Sequence, residues 1–301
     1  MNTCKRLAVV LIVVLLLPSV AAGADPAKQA YENGKACLDK KDYDAAIAAF
    51  NEAIRLNPSN ADAYNNRGNA YGNKGDHDKA LADFTEAIHL SPKMDKAFYN
   101  RGLAYGHKGD YGKAITDYNE AIRLNPKYAA VYDDRGIAFA AKGEYDMAIA
   151  DYTEAIRLDP KYARAYCNRG VAYYEKGEDY KVIAEYNEAI RLDAKLAMAY
   201  NNRGIIYGDK HKYDKAIADF TEAIRLDPKF GDAYYNRAWC YGQQCNHGMA
   251  IADYTEAIRL APMLAQAYYN RGLAYEKKGD KAKAEEDFAQ AKKLGYTEKK
   301  D

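Results

Sequence analysis

"AYNNRGNAYGNKGD", residues 63–76, decides how the chain is organised, because its centre, Asn66-Arg67-Gly68, returns at one spacing. Arg101, Arg135, Arg169, Arg203, Arg237 and Arg271 follow Arg67, each step being 34 residues. Proline keeps the same step at Pro58, Pro92, Pro126, Pro160, Pro228 and Pro262, with Ala194 in the fifth place. Extended outward, these columns divide residues 25–296 into eight repeats of 34 with no insertion, followed by a polar tail, 297–301. A length of 301 residues alone suggests about two domains, but a fixed period of this size is the mark of a stacked array.

Each repeat reads as two helices. In the second repeat Tyr64, Gly68 and Tyr71 fall on one helical face at steps of four and three. Gly75-Asp76 breaks the chain, and Ala80, Phe84, Ala87 and Ile88 mark the inner face of a second helix that Pro92 ends. Gly68 and Ala80 are expected to be small because two helix backbones approach there. A single hairpin of this kind cannot bury its own apolar face, so neighbours must stack.

The spaced Tyr64, Gly68, Tyr71, Ala80, Phe84, Ala87 and Pro92, at a 34-residue period, resemble the tetratricopeptide repeat. The resemblance covers nearly all of residues 25–296. It implies an all-α fold, an αα-hairpin solenoid wound as a right-handed superhelix, with first helices lining a concave groove. It does not imply any one activity.

Sixteen residues after each Arg stands an acid: Asp83, Asp117, Asp151, Glu185, Asp219, Asp253 and Asp287. The first repeat lacks both at once, with Asn33 and Ala49. Joint loss predicts an ion pair between the two helices of one hairpin, since a partly buried Arg needs a charged acceptor.

The residue before Arg reads Asn66, Asn100, Asp134, Asn168, Asn202, Asn236 and Asn270. It points away from the packing face, and an amide carries both donors and an acceptor for a peptide bond. This column is similar to the asparagine ladder in the repeat region of O-linked N-acetylglucosamine transferases, interrupted here by Asp134. The other reading is that the Asn holds its own helix and loop. Two residues after Arg stand Asn69, Leu103, Ile137, Val171, Ile205, Trp239 and Leu273. An apolar row on a face expected to be wet marks a partner site, unless neighbouring first helices cover it. The chaperone-tail clamp of some relatives needs a set of groove cations, whereas Lys96 and Arg164 stand alone.

The five histidines are scattered over unlike repeat positions, and no phosphate loop, zinc-protease motif or nucleophile motif occurs. "CYGQQCNH", Cys240 to His247, matches no zinc spacing, and a Cys240–Cys245 disulfide stays open. No enzyme, metal, cofactor or small-molecule substrate is expected. A formal charge of +1 lacks the basic excess of a nucleic-acid binder.

In the fifth repeat Val182 replaces the small residue, Tyr180 shifts the aromatic, and Ala194 replaces proline, which predicts a looser junction at 178–196. In the last repeat, Lys292 replaces the usual Ile, as a terminal cap requires.

At the other end, Lys5 and Arg6 precede an 11-residue apolar run, Leu7 to Leu17, and then Pro18 and Ala22-Gly23-Ala24. Residues 1–24 read as a signal peptide cleaved after Ala24; the run is short for a membrane span, although an uncleaved anchor is the rival. The expected place is therefore a periplasm or the exterior, with membrane contact only through an uncleaved segment. The functional expectation is an exported scaffold binding a protein or peptide in its groove. The alternative is an assembly scaffold in a cell envelope or secretion complex, contacting partners by its ends or convex face. N-terminal sequencing of the exported protein is expected to begin at Asp25; Met1 or Asn2 would establish the anchor instead.

Overall fold

The computed structural model describes residues 25–297, and the leader assigned to residues 1–24 lies outside them. Sixteen helices and no strand occur among the described residues. The chain divides into two compact bodies at Lys93/Met94. The N-terminal body holds α1 (Pro26–Asp39), α2 (Tyr43–Leu56), α3 (Ala61–Asn73) and α4 (His77–Leu90). The C-terminal body begins with α5 (Asp95–His107), α6 (Tyr111–Leu124), α7 (Ala129–Ala141), α8 (Tyr145–Leu158), α9 (Ala163–Glu175) and α10 (Asp179–Leu192). It continues with α11 (Ala197–Asp209), α12 (Tyr213–Leu226), α13 (Gly231–Gln243), α14 (His247–Leu260), α15 (Ala265–Lys277) and α16 (Lys281–Lys293). Within each body, odd and even helices pair as hairpins, and each second helix packs on the next first helix. This is the all-α hairpin solenoid that the period predicts.

Each hairpin turns on the same local chemistry. Gly75 has φ +82°, and the N–H of Asp76 reaches back to the Tyr71 carbonyl, closing α3 in a left-handed cap. Asp76 then caps α4 by accepting from the Lys79 N–H. Lys41, His211 and Cys245 adopt the same left-handed conformation, at φ 59°, 56° and 57°, without being glycine. Each of them carries strain of about 1–2 kcal/mol.

The core is one ring per hairpin laid over one glycine. A Cβ at Gly68 would fall 2.7 Å from Phe84 Cε1, and one at Gly102 would fall 2.6 Å from Tyr118 Cε1. The glycine is small to admit an aromatic ring rather than to let two backbones touch. Ala238 holds this place in the seventh repeat, fully buried.

The Arg–acid pair is present in seven hairpins. Arg67 donates from Nη2 and Nε to Asp83 at 2.6 and 2.8 Å, and Arg135 reaches Asp151 at 2.6 and 2.7 Å. Arg169 grips Glu185 at 3.0 and 3.1 Å. Arg101, Arg203, Arg237 and Arg271 engage Asp117, Asp219, Asp253 and Asp287 in the same two-pronged way. The remaining Nη1 reaches the preceding hairpin: Arg67 bonds to Asn51, Arg135 to Asn119, Arg169 to Thr153 and Arg203 to Asn187. One guanidinium thus closes its own hairpin and bolts it to the one before. Its face lies against the aromatic ring three residues earlier, Tyr132 in the case of Arg135.

The fifth repeat keeps the helix ends of its siblings but packs more thinly, α10 lying the most sparsely packed of the C-terminal body's second helices against both its own first helix, α9, and the next one, α11. Without proline, α10 still stops at Leu192, and its cap Asp193 (φ −136°, ψ 94°) matches Asp227 after α12 (φ −132°, ψ 94°). Loop geometry, rather than proline, ends the helix. Val182 is fully buried against its neighbours, whereas the shifted Tyr180 is 79% exposed. At the far end Tyr296 stacks on Tyr269 with ring centroids 4.3 Å apart, covering α15 beyond the last hairpin.

Burial raises the pKa of Asp151 despite the Arg135 partner, so the charge depends on that pair. Asp151→Ala would leave the half-buried Arg135 with Asn119 but no carboxylate and is expected to lower stability by about 3 kcal/mol. The Arg135→Ala, Asp151→Ala double variant should lose less than the sum of the singles, as read by urea unfolding of the three proteins.

Candidate functional site

The surface of interest is built from the odd-numbered helices, whose ring-and-glycine face points into the hairpin and whose opposite face carries the Asn and apolar columns. The Asn column is engaged between repeats. Asn66 Nδ2 donates to the Tyr31 hydroxyl of the preceding first helix at 3.0 Å. In the C-terminal body Asn168 donates to Asp133 (3.0 Å), Asn236 to Asn201 (3.2 Å) and Asn270 to Tyr235 (2.9 Å). Asn202 reaches the Cys167 sulfur at 3.8 Å. Asn100 holds the matching place in α5, half-buried. In these five bonds the partner is 35 residues earlier. The amide nitrogens therefore hold adjacent first helices together, while three of the oxygens also accept within their own helix, Asn66 from Asn65, Asn202 from Asn201 and Asn270 from Gln266, so a peptide would meet the lone pairs those oxygens have left.

Asp134 interrupts the Asn column with a different device. The Tyr99 hydroxyl donates to Asp134 Oδ2 at 2.7 Å, while Arg164 donates to Oδ1 at 2.8 Å. Arg164 Nε also lies 2.7 Å from Asp133 Oδ2, an ion pair in which the N–H is turned off that oxygen. Two carboxylates, with Asp133 at 0% exposure, thus share one guanidinium that spans α7 and α9. Burial pushes the Asp133 carboxyl above its ordinary range, against the pull of Arg164 and Asn168. Arg164, read from sequence as a lone groove cation, is occupied by these two acids.

The apolar column stays on the surface. Ile137 is 39% exposed and Leu273 36%, and Leu103, Val171, Ile205 and Trp239 are half-buried. Trp239 meets Tyr213 edge-on at 5.9 Å and packs beside Ile205, so it serves the stack on one side and faces outward on the other. It brings Ile205 and Asn236 together around one depression and Asn270 and Leu273 around another. Asn202 lines neither.

The four described cysteines are free thiols: Cys167 and Cys240 are buried, and Cys245 lies exposed at its turn. Burial pushes the Cys240 thiol up to about 12, which makes it a poor nucleophile. Among the described residues, no three His, Cys, Asp or Glu side chains gather as a ligand set. No helix among them is long and apolar enough to cross a membrane.

One contributor escaped the reading of the sequence. The third partner of six of the Arg residues stands 16 residues before its Arg and is Asn or Thr: Asn51, Asn119, Thr153, Asn187, Thr221 and Thr255. The column was visible in the repeat, but an acceptor in the preceding hairpin is not separable there from a residue of an exposed helix face.

Models of the tetratricopeptide repeat match residues 61–94, 95–128, 163–196, 197–230, 220–252 and 265–294. A further TPR repeat model matches 34–75, 136–177 and 247–279. The chain belongs to the tetratricopeptide repeat family. No curated protein matches the sequence. Among solved structures, a chain of the APC/C hetero-tetramer Cut9–Hcn1 superposes with a TM-score of 0.69 at 18% identity over 88% of this chain. This chain spans 52% of the length of that one. A tetratricopeptide repeat protein from Parabacteroides merdae superposes with a TM-score of 0.66 at 21% identity, covering 86% of this chain and all of its own. MamA is 27% identical with a TM-score of 0.51, over 57% of this chain and 94% of its own. The first two are likenesses of fold. Arrays of this repeat typically act as scaffolds that present an extended surface to protein partners.

The raised Asp133 pKa has a stability consequence. The native state holds that proton more tightly than the unfolded chain, where Asp titrates near about 3.9. The contribution is therefore fully present below that value and is lost as pH rises through the native one. Asp133→Asn is expected to flatten this loss, measured as urea midpoints from pH 4 upward, and an unchanged slope would clear Asp133 of the effect.

Proposed function

We propose that this protein is an exported interaction scaffold that holds a protein or peptide segment against its first-helix face. The observation that carries the reading is the row Leu103, Ile137, Val171, Ile205, Trp239 and Leu273, six apolar side chains on successive first helices, none of them buried. A continuous apolar stripe bordered by polar residues favours a macromolecular partner. The neighbouring Asn column supports this use indirectly: its bonds keep the first helices in register, so the stripe is presented as a preformed track. Trp239 is the anchor, the largest apolar group on the row and the only tryptophan of the chain. Export rests on the charged, apolar and small-residue succession of residues 5–24, and places the scaffold in a periplasm or outside the cell.

The test is site-specific photo-crosslinking in the native host, with the reactive group at position 137, 171 or 239 and, as a control, at the exposed second-helix position 157. A partner is expected from the first three and not from the fourth. Capture from 157 alone would favour an assembly scaffold that contacts partners by another face. Because Trp239 also touches Tyr213, the informative variant is Trp239→Leu, which takes the residue of sibling repeats. It is expected to weaken partner binding about tenfold while the melting temperature moves little. Unchanged binding would confine Trp239 to the stack.

A further inference from the structure

Trp239 is the wall between two depressions of the C-terminal body. One, of about 210 Å³, lies between α11 and α13, is floored by Ile205 and Phe220, and has Asp209 as its one charged lining residue. The other, of about 300 Å³, lies between α13 and α15 and is floored by Ala250, Tyr254 and Leu273. Lys277 is its one permanent charge, His247 stands beside it, and no carboxylate lines it. Asp209 and Lys277 hold the same place in repeats six and eight, so the chemistry changes sign across the tryptophan. Asp209 is held by the Tyr174 hydroxyl, which donates to it at 3.0 Å.

Geometry restricts what spans both. Successive first helices touch through the Asn236–Asn201 and Asn270–Tyr235 bonds, so equivalent depressions repeat at an interval on the order of the 8–10 Å between neighbouring helices. A chain of polyproline twist rises about 3.1 Å per residue with three residues per turn, so side chains i and i+3 share a side about 9 Å apart. Each depression is also edged by an amide from the Asn column, Asn236 in the first and Asn270 in the second. With their nitrogens bonded to Asn201 and Tyr235, Asn236 offers its carbonyl oxygen and Asn270, whose oxygen already accepts from Gln266, offers that oxygen's second lone pair. An extended chain has backbone N–H groups to give to such acceptors, whereas those of a helix interior are used internally.

We propose that the two depressions take one extended peptide of polyproline twist, with apolar side chains three residues apart astride Trp239, a basic side chain beside Asp209 and an acidic one beside Lys277. The proposal rests on the reading of the first-helix face as the binding surface. It assigns the partner a class: a bipolar, apolar-spaced, unfolded segment. Both charges are exposed, so each contributes specificity of a few fold and the apolar pair supplies most of the affinity.

The experiment is selection of a phage-displayed library of random dodecapeptides on residues 25–301, in parallel on Trp239→Leu, Lys277→Glu and Asp209→Lys proteins whose folding is checked by circular dichroism. The expected result is a set of peptides lost on Trp239→Leu, with apolar residues three apart flanked by one basic and one acidic residue. Lys277→Glu should then select a basic residue in place of the acidic one, and Asp209→Lys the reverse. Binding of synthetic peptides free of tryptophan, followed by Trp239 emission, should favour the Lys-and-Glu version over all-Lys and all-Glu versions by about threefold to fivefold. Trp239-dependent peptides with another spacing, such as the seven-residue step of a helix, or with flanks indifferent to Lys277→Glu, would overturn this inference and leave the first-helix face as the binding surface. Selection of no peptide that depends on Trp239 would overturn both.

Discussion

A guanidinium shared between two hairpins is the interaction on which the rest of the structure depends. Each helical pair here is too small to bury its own apolar face, so the fold exists only if neighbours dock in one register. Apolar contacts between second and first helices supply the driving force but little register, because Ala, Ile and Leu faces slide over one another at low cost. The Arg of each first helix after α1 removes that freedom. Two of its nitrogens meet the acid of its own second helix, and the third reaches an Asn or Thr of the preceding hairpin. Where the acceptor is Thr, its hydroxyl also donates one turn back along its own helix, as Thr153 does to Ile149 at 2.7 Å. The desolvated charge is thereby surrounded on three sides, which a buried ion needs if it is not to destabilise its surroundings.

The Asn column repeats the same logic one residue earlier in the chain. Its amides link successive first helices, and its acceptors change from tyrosine to aspartate, cysteine and asparagine without changing place. Where the repeat has Asp134 instead, the Tyr99 hydroxyl, again 35 residues earlier, donates to the carboxylate, and Arg164 adds an ion pair between α7 and α9 beside the Asn168–Asp133 bond. With register set by polar bonds, the apolar column two residues after the Arg is not required to lock the stack. It stays half exposed, and this division of labour is what makes it available to a partner. Trp239 is the member that does both, packing against Tyr213 while walling two depressions.

Much of this was legible from one sequence because the chain carries its own comparison set. A residue seen once is ambiguous, but Arg67 with six siblings is a column, and a column can be matched with another by shared loss. Asn33 and Ala49 lost together implied the pair that Arg67 and Asp83 make. The turn glycine was legible too, at Gly75, and Cys245, which stands in the same place in the seventh repeat, is a left-handed residue at φ 57°. The Asn acceptors were not, since Tyr31, Asp133, Cys167 and Asn201 share no chemistry that marks them as one column. Nor was the reason for Gly68, which lies under a ring from a residue 16 positions away.

By itself the sequence determined the period, the two helices of each repeat, the class of fold and the pairing inside each hairpin. All of these arise from interactions within about one repeat length, where spacing alone says which residues can meet. Only the tertiary structure decided which polar groups join one repeat to the next, that Arg164 is taken by two acids, and that the apolar row remains uncovered. Those depend on the offset between stacked hairpins. That offset comes from the simultaneous packing of many side chains and is written in no single column.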